Sequence, residues 1–334
     1  DDPCSDHMVR TTVDAMAKNG MHDAGYDYAV LDDCWAAKQR DAAGNLVVDA
    51  TRFPHGMADL ADYVHARGFS FGLYTSYGTK TCKGGRPGSF GHYAADAKLL
   101  AGWGVDFIKM DHCGSPGNNY TDRQLYGEMA AALNATGRSV LFSLCQWGES
   151  EVWTWGSEVA QMYRVAMDHL PLWSLPASVG KAQGVGMGQG VKEVIEWMAA
   201  LVPSKYTRQY GWMDPDFLMT LKWPTMDFVD SRTEFSFWSL WSSPLIVTTD
   251  VRHLSAGKAK ILLNREVIAI NQDVSYTAGD RLRNATDGGQ VWARPLANGD
   301  KAVVLYNDGR SGGAVDISVE WAELSWAATA SVSV

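Results

Sequence analysis

Short apolar runs that read as strands alternate with amphipathic stretches that read as helices, and this alternation constrains the fold more than any other feature of the chain. The strand-like runs are Tyr28 to Leu31, Phe69 to Tyr74, Phe107 to Met110, Val140 to Leu144, Met162 to Met167 and Pro244 to Thr248. Between them, apolar residues fall at helical spacing. One helix is predicted to start at a cap on Ser5 or Asp6, carry Val9, Val13 and Met16 on one face, and end at Gly20. A second gathers Met57, Leu60, Ala61 and Val64 ahead of Gly68, and a third starts at Thr121 or Asp122 and aligns Leu125, Met129 and Leu133. Strand and helix in series imply an α/β fold with a parallel sheet, and about this many units imply a (β/α)8 TIM barrel. With 334 residues, 46% of them hydrophobic, the chain can bury a core of that size.

The texture changes after Ile268-Ala269-Ile270-Asn271-Gln272-Asp273. Short strands are predicted at Gln290 to Leu296, Lys301 to Tyr306 and Ala314 to Val319, with a hairpin turn at Asn298-Gly299-Asp300. The expected division is a barrel over 1–274 and a small antiparallel β domain over 275–334. The chain opens almost at a helix cap, without a first barrel strand, and stops after Ser331-Val332-Ser333-Val334. It is therefore expected to be a piece of a longer protein, truncated at both ends.

A net charge of −9 and the lack of a basic stripe argue against a nucleic-acid partner. No run approaches the roughly eighteen apolar residues of a membrane span. The five cysteines (Cys4, Cys34, Cys82, Cys113, Cys145) contain no CxxC, which excludes a zinc ribbon and leaves room for two disulfides and one free thiol. With sequons at Asn119, Asn134 and Asn284, they favour a secreted protein or one of a lysosomal or vacuolar lumen. No HExxH, histidine cluster or Walker loop is present, so neither a metal nor a cofactor is expected. The glycine-rich Gly84-Gly85-Arg86-Pro87-Gly88-Ser89 reads as a plain loop.

Chemistry concentrates in Asp106-Phe107-Ile108-Lys109-Met110-Asp111-His112-Cys113, an apolar strand that closes on a carboxylate. In a barrel, that end of a strand faces the site. Lys109 shares a strand face with Asp111 and would hold it ionised, although a structural salt bridge fits the same pattern. Asp168 closes Met162-Tyr163-Arg164-Val165-Ala166-Met167-Asp168, with Arg164 four positions earlier. Two carboxylates at the ends of two strands are the equipment of glycoside hydrolysis. Leu31-Asp32-Asp33-Cys34-Trp35 adds adjacent acids suited to gripping sugar hydroxyls, beside an aromatic that can stack on a sugar ring. A calcium site there would need more oxygen ligands than lie nearby. His112 is assigned no role.

These residues resemble the α-galactosidase and α-N-acetylgalactosaminidase family, glycoside hydrolase family 27 of clan D, over nearly the whole chain. The matching stretches include Leu31 to Trp35, Arg52-Phe53-Pro54-His55-Gly56-Met57, Gly72-Leu73-Tyr74, Lys80-Thr81-Cys82, Gly104 to Asp111, Ser143-Leu144-Cys145-Gln146-Trp147-Gly148, Asp214-Pro215-Asp216, Trp241 to Ile246 and Asn264 to Asp273. The resemblance implies a retaining exo-glycosidase acting on terminal α-galactosyl residues of oligosaccharides or glycoconjugates. In it Asp111 is the nucleophile and Asp168 the acid and then the base. It further implies that Asp32, Asp33 and Lys109 bind the 3-, 4- and 6-hydroxyls, that Tyr74 lines the site, that Cys145 and Trp147 face the 2-position, and that Arg164 and Asp216 complete the pocket. It pairs Cys4 with Cys34 and Cys82 with Cys113, leaving Cys145 free.

The chain departs from the family pattern around Asp168, which only the Arg-to-Asp spacing identifies, and at Gln146 and Phe217, where the family has glutamate and methionine. These departures keep open activity on β-L-arabinopyranosides, α-N-acetylgalactosaminides or isomaltose-type α-glucans. They also keep open a sugar-binding protein without catalysis. Oligomeric state is not legible.

Overall fold

The computed structural model describes residues 4–83, 85–175, 188–222, 225–309 and 312–325. It divides into two compact units, one of Asp1–Val165 with Asp250–Ala256 and the other of Ala166–Thr249 with Gly257–Val334. In the first unit five strands pair in parallel and in chain order: β1 Tyr28–Val30, β2 Ser70–Ser76, β3 Phe107–Asp111, β4 Leu141–Cys145 and β5 Met162–Arg164. Helices α1 Asp6–Met16, α2 Gly56–His65, α3 Tyr93–Gly102 and α4 Asp122–Ala135 alternate with them. This is the βα alternation of a TIM-type α/β fold.

The helices form for the reasons their sequences suggest. Ser5 Oγ accepts from the Met8 backbone N–H at 3.2 Å and caps α1, whose buried face carries Val9, Val13 and Met16. Thr121 and Gln124 close a capping box at the start of α4, which buries Leu125, Tyr126, Met129 and Leu133. Met57, Leu60, Ala61 and Val64 are the buried residues of α2. Burying an aliphatic side chain of the larger kind contributes about 1.5–3 kcal/mol, so these stripes are what hold the helices to the sheet.

Strand order is reinforced at the end remote from the site. Asp106, just before β3, accepts from the Phe71 backbone N–H at 2.9 Å and from Arg138, and lies 2.6 Å from His65 Nε2. At the opposite end the loops after β2 and β3 touch backbone to backbone. A Cβ on Gly78 would stand 2.0 Å from the Gly114 carbonyl oxygen, so only glycine fits. The Cys82–Cys113 disulfide ties the same two loops, and Cys4–Cys34 joins the start of α1 to the loop after β1.

In the second unit, strand β6 Trp212–Asp214 accompanies helices Val191–Leu201, Phe228–Leu240 and Arg265–Asn271. An antiparallel sheet follows, with β7 Asp280–Asn284, β8 Gly289–Pro295 and β9 Lys301–Asn307 in that order. Phe237 packs on Trp241, Trp292 and Tyr306 at centroid distances of 5.1–5.2 Å. Buried Arg294 donates to the carbonyls of Ser239 at 3.0 Å and Ile270 at 2.5 Å, capping the carboxyl ends of two helices. Burial pushes this guanidinium down to about 10.

Three expectations need correction. The run Met162 to Met167 is a strand only to Arg164, so Asp168 does not close the strand but is carried by the segment beyond it. Pro244 to Thr248 makes a single parallel bridge, Leu218 to Val247, rather than a strand. Ala314 to Val319 does not join the antiparallel sheet; Asp280–Asn284 does, and its alternating arginines conceal an edge strand. The expected final strand at Ser331 to Val334 and residue Gly84 lie outside the described residues.

Candidate active site

Register places the candidate residues of the first unit. Tyr74 pairs with Lys109 and Lys109 with Ser143; one layer further, Ser76 pairs with Asp111 and Asp111 with Cys145. Residues two apart share a face, so Tyr74, Lys109, Asp111 and Cys145 converge on one side of the sheet while Leu73, Ile108, Met110 and Leu144 fill the other.

Asp111 is 6% exposed, and both of its oxygens are oriented. Tyr74 donates its hydroxyl to Oδ2 at 2.8 Å, and the backbone N–H of His112 donates to Oδ1 at 2.8 Å. Burial, then the nearby carboxylates of Asp111 and Asp33, hold the Tyr74 phenol well above its ordinary range. It therefore stays protonated as a donor. Trp35 Nε1 fixes the Tyr74 backbone through its carbonyl at 2.8 Å.

Lys109 makes its ion pair with Asp32, Nζ to Oδ2 at 2.7 Å. Burial works to lower the ammonium, but Cys145, Asp32 and Asp111 around it outweigh this and hold it above its ordinary value. Packing works against the charge on Asp32 too; Lys109 and the Asp33 backbone N–H outweigh it, and the carboxyl sits below its usual range. The Asp32 side chain is still 51% exposed, open to a ligand. Its neighbour Asp33 faces inward, accepts from the Lys83 backbone N–H and lies 3.8 Å from Arg86. Burial pushes that carboxyl up, against those two partners. One acid of the pair is thus available to hydroxyls while the other anchors the loop after β2.

Cys145, the cysteine outside the two disulfides, is buried, with Arg164 Nη1 3.4 Å from its sulfur. Trp147 has a left-handed φ of 65°, and its indole N–H is buried without a hydrogen-bond partner among the described residues. Such strain gathers where structure holds a side chain for a purpose. His112 stacks on Tyr77 at 4.7 Å, meets Trp147 edge-on at 5.5 Å, and places its ring nitrogens 2.9 Å from Asp122 and 3.4 Å from Glu149.

The remaining two expected residues lie in the second unit. Asp168 is exposed, and its backbone carbonyl accepts from the Gln189 N–H at 2.8 Å. Asp216 is 2% exposed with φ of 93°, a strained conformation for a residue with a Cβ. It is over-determined by its neighbours: its N–H donates to Asp214 at 2.8 Å, its carbonyl accepts from Trp238 Nε1 at 2.7 Å, and its Oδ2 accepts from the His169 N–H at 2.6 Å. Asp168 and Asp216 are thereby linked through one intervening peptide.

Sequence reasoning missed His112, His169 and Glu234. Glu234 shares a buried helix stripe with Ser231, Phe235 and Trp238, and an acid on such an i, i+3, i+4, i+7 face was the available signal.

Comparison with known proteins identifies the family. Residues 1–273 match the family model described as alpha galactosidase A, and residues 286–334 match that of the alpha galactosidase C-terminal beta sandwich domain. An α-galactosidase of Oryza sativa subsp. japonica is 36% identical over 329 residues, which are 98% of this chain and 73% of that protein. Among solved structures, α-galactosidase I of Mortierella vinacea superimposes with a TM-score of 0.85 at 34% identity, over 91% of this chain and 77% of that one. The Saccharomyces cerevisiae α-galactosidase determined with raffinose gives 0.84 at 34% identity, over 91% and 70%. The chain belongs to the α-galactosidase family of glycoside hydrolases, family 27.

Proposed function

We propose that the chain removes terminal α-D-galactosyl residues from oligosaccharides or glycoconjugates with net retention. Asp111 attacks the anomeric carbon while Asp168 protonates the leaving oxygen. Asp168 then takes a proton from water, which attacks the galactosyl–Asp111 ester and restores both carboxyls. The observation that carries this reading is the Asp111 carboxylate itself, at a strand's carboxyl end with both oxygens oriented by Tyr74 and His112. A pre-aimed nucleophile is what covalent catalysis requires.

Asp32 and Lys109 suit the 4-hydroxyl region of the sugar, since an exposed carboxylate and a charged ammonium offer acceptor and donors side by side. Asp33 is better suited to supporting that pair. Cys145, Trp147, Arg164 and Asp216 are assigned to the rest of the pocket on the family pattern. The boundary near residue 274 fits the two family models, which end and resume on either side of it. A secreted or lysosomal setting is supported by two disulfides and by exposed asparagines at all three sequons. No helix among the described residues is long and apolar enough to cross a membrane.

Proton NMR of the first-formed sugar tests the reaction. α-Galactose should precede its mutarotation to β. Initial β-galactose contradicts retention, and faster cleavage of a nitrophenyl β-L-arabinopyranoside, α-N-acetylgalactosaminide or α-glucoside than of the α-galactoside reassigns the glycone.

A further inference from the structure

Behind Asp168 and Asp216 lies a histidine–glutamate pair that the reaction as described does not use. His169 and Glu234 are both fully buried, with Nδ1 3.5 Å from Glu234 Oε1. The nearer partner of Nδ1 is the Phe217 carbonyl at 2.8 Å, and since a carbonyl only accepts, Nδ1 carries the proton. The Trp238 ring lies against the imidazole at 5.4 Å, and the same tryptophan donates to the Asp216 carbonyl.

Glu234 gathers the other loop. Its Oε1 accepts from the Met219 N–H at 2.8 Å and its Oε2 from the Thr220 hydroxyl at 3.3 Å. One helix side chain therefore holds residues 219–220 and faces His169, while the backbone of His169 holds Asp216 and directly continues from Asp168. Burial pushes Glu234 up to about 8, against its two hydrogen bonds, so its carboxyl is mostly protonated near pH 7. A protonated carboxyl adds no negative charge beside the acid it supports.

We propose that His169 and Glu234 are positioning residues that orient Asp168 for proton delivery to the leaving group. The inference rests on the reading of Asp168 as acid and base. Orientation matters most when the leaving oxygen must be protonated, so the effect should depend on the leaving group. Removing the clamp should slow cleavage of an unactivated α-1,6-linked galactosyl disaccharide far more than that of α-galactosyl fluoride, whose departure needs little proton transfer.

The test compares kcat/KM, which reads the first step in which the leaving group departs, for both substrates in His169→Leu and Glu234→Met, which keep bulk beside Trp238 and so favour folding, with Glu234→Gln as the conservative variant. The expected result is a loss on the disaccharide at least tenfold greater than on the fluoride in whichever of the first two variants folds. Glu234→Gln, which still accepts from Met219, should stay within about threefold of the parent. Equal losses on both substrates, no loss, or a glutamine variant as impaired as the methionine one overturns the proposal. Asp168→Ala is run alongside: it should show the split more strongly, with azide restoring turnover. If Asp168→Ala shows no split, the reading of Asp168 fails; if it does and the clamp variants do not, only the clamp fails.

Discussion

The two carboxylates assigned to the chemistry are held in opposite ways. Asp111 closes a regular strand, and hydrogen-bond register with its neighbours decides which way it points and what stands beside it. Asp168 lies beyond the end of its strand, in a segment held by a parallel bridge between His169 and Gln189, by the strained Asp216, and by a buried pair reaching back to a distant helix. A strand end is specified locally and cheaply, whereas a loop-borne acid depends on side chains far away in sequence. A change in the first region should therefore act on chemistry alone, and a change in the second on chemistry and stability together.

Asp111→Asn breaks the comparison most sharply. Turnover should fall by a factor on the order of 10³ or more, with circular dichroism and melting temperature close to the parent because the amide keeps the shape of the carboxyl: its oxygen still accepts from the His112 N–H, and the Tyr74 hydroxyl can turn to accept from its NH2. Comparable activity in that variant would remove the nucleophile.

Tyr74→Phe probes the same region more gently. It deletes one charge-assisted hydrogen bond of 2.8 Å to Asp111, so kcat/KM should drop roughly 10- to 100-fold, the equivalent of about 1.5–3 kcal/mol. A steady-state assay on a nitrophenyl α-galactoside reads this directly. No change would mean that the hydroxyl does not orient the attacking carboxylate.

Glu234→Gln sharpens the comparison from the second region through stability. The folded protein holds the Glu234 proton up to about 8, while the ordinary value is 4.5. Between these values the native state binds a proton that the unfolded chain has released, so stability falls as pH rises through that window and is whole below it. The glutamine variant does not titrate, and its melting temperature should decline less between pH 5 and pH 8, by about a few degrees. Parallel melting curves for parent and variant would contradict the assignment.

This contrast also explains what could be read from the sequence. The helices at Asp6–Met16, Gly56–His65 and Asp122–Ala135 were legible because caps and apolar spacing are local. That Lys109 and Asp111 share a face was legible because alternation along a strand is local too, whereas Tyr74 and Cys145 beside them came from the family resemblance, since the register between strands is not local. The pairing of Lys109 with Asp32 was not, since it depends on the loop that follows β1. His169 and Glu234 were missed for the same reason: they are 65 residues apart, and only folding makes one the other's neighbour. The arginine-bearing strand Asp280–Asn284 escaped because an edge strand needs no apolar face to pair.

The most direct test of the account is to trap the intermediate. Incubation with a fluorinated galactosyl donor that forms the covalent species faster than it hydrolyses, followed by proteolysis and mass spectrometry, should place the sugar on the carboxylate of Asp111. A label on another residue, or inactivation that leaves no covalent sugar, would contradict it.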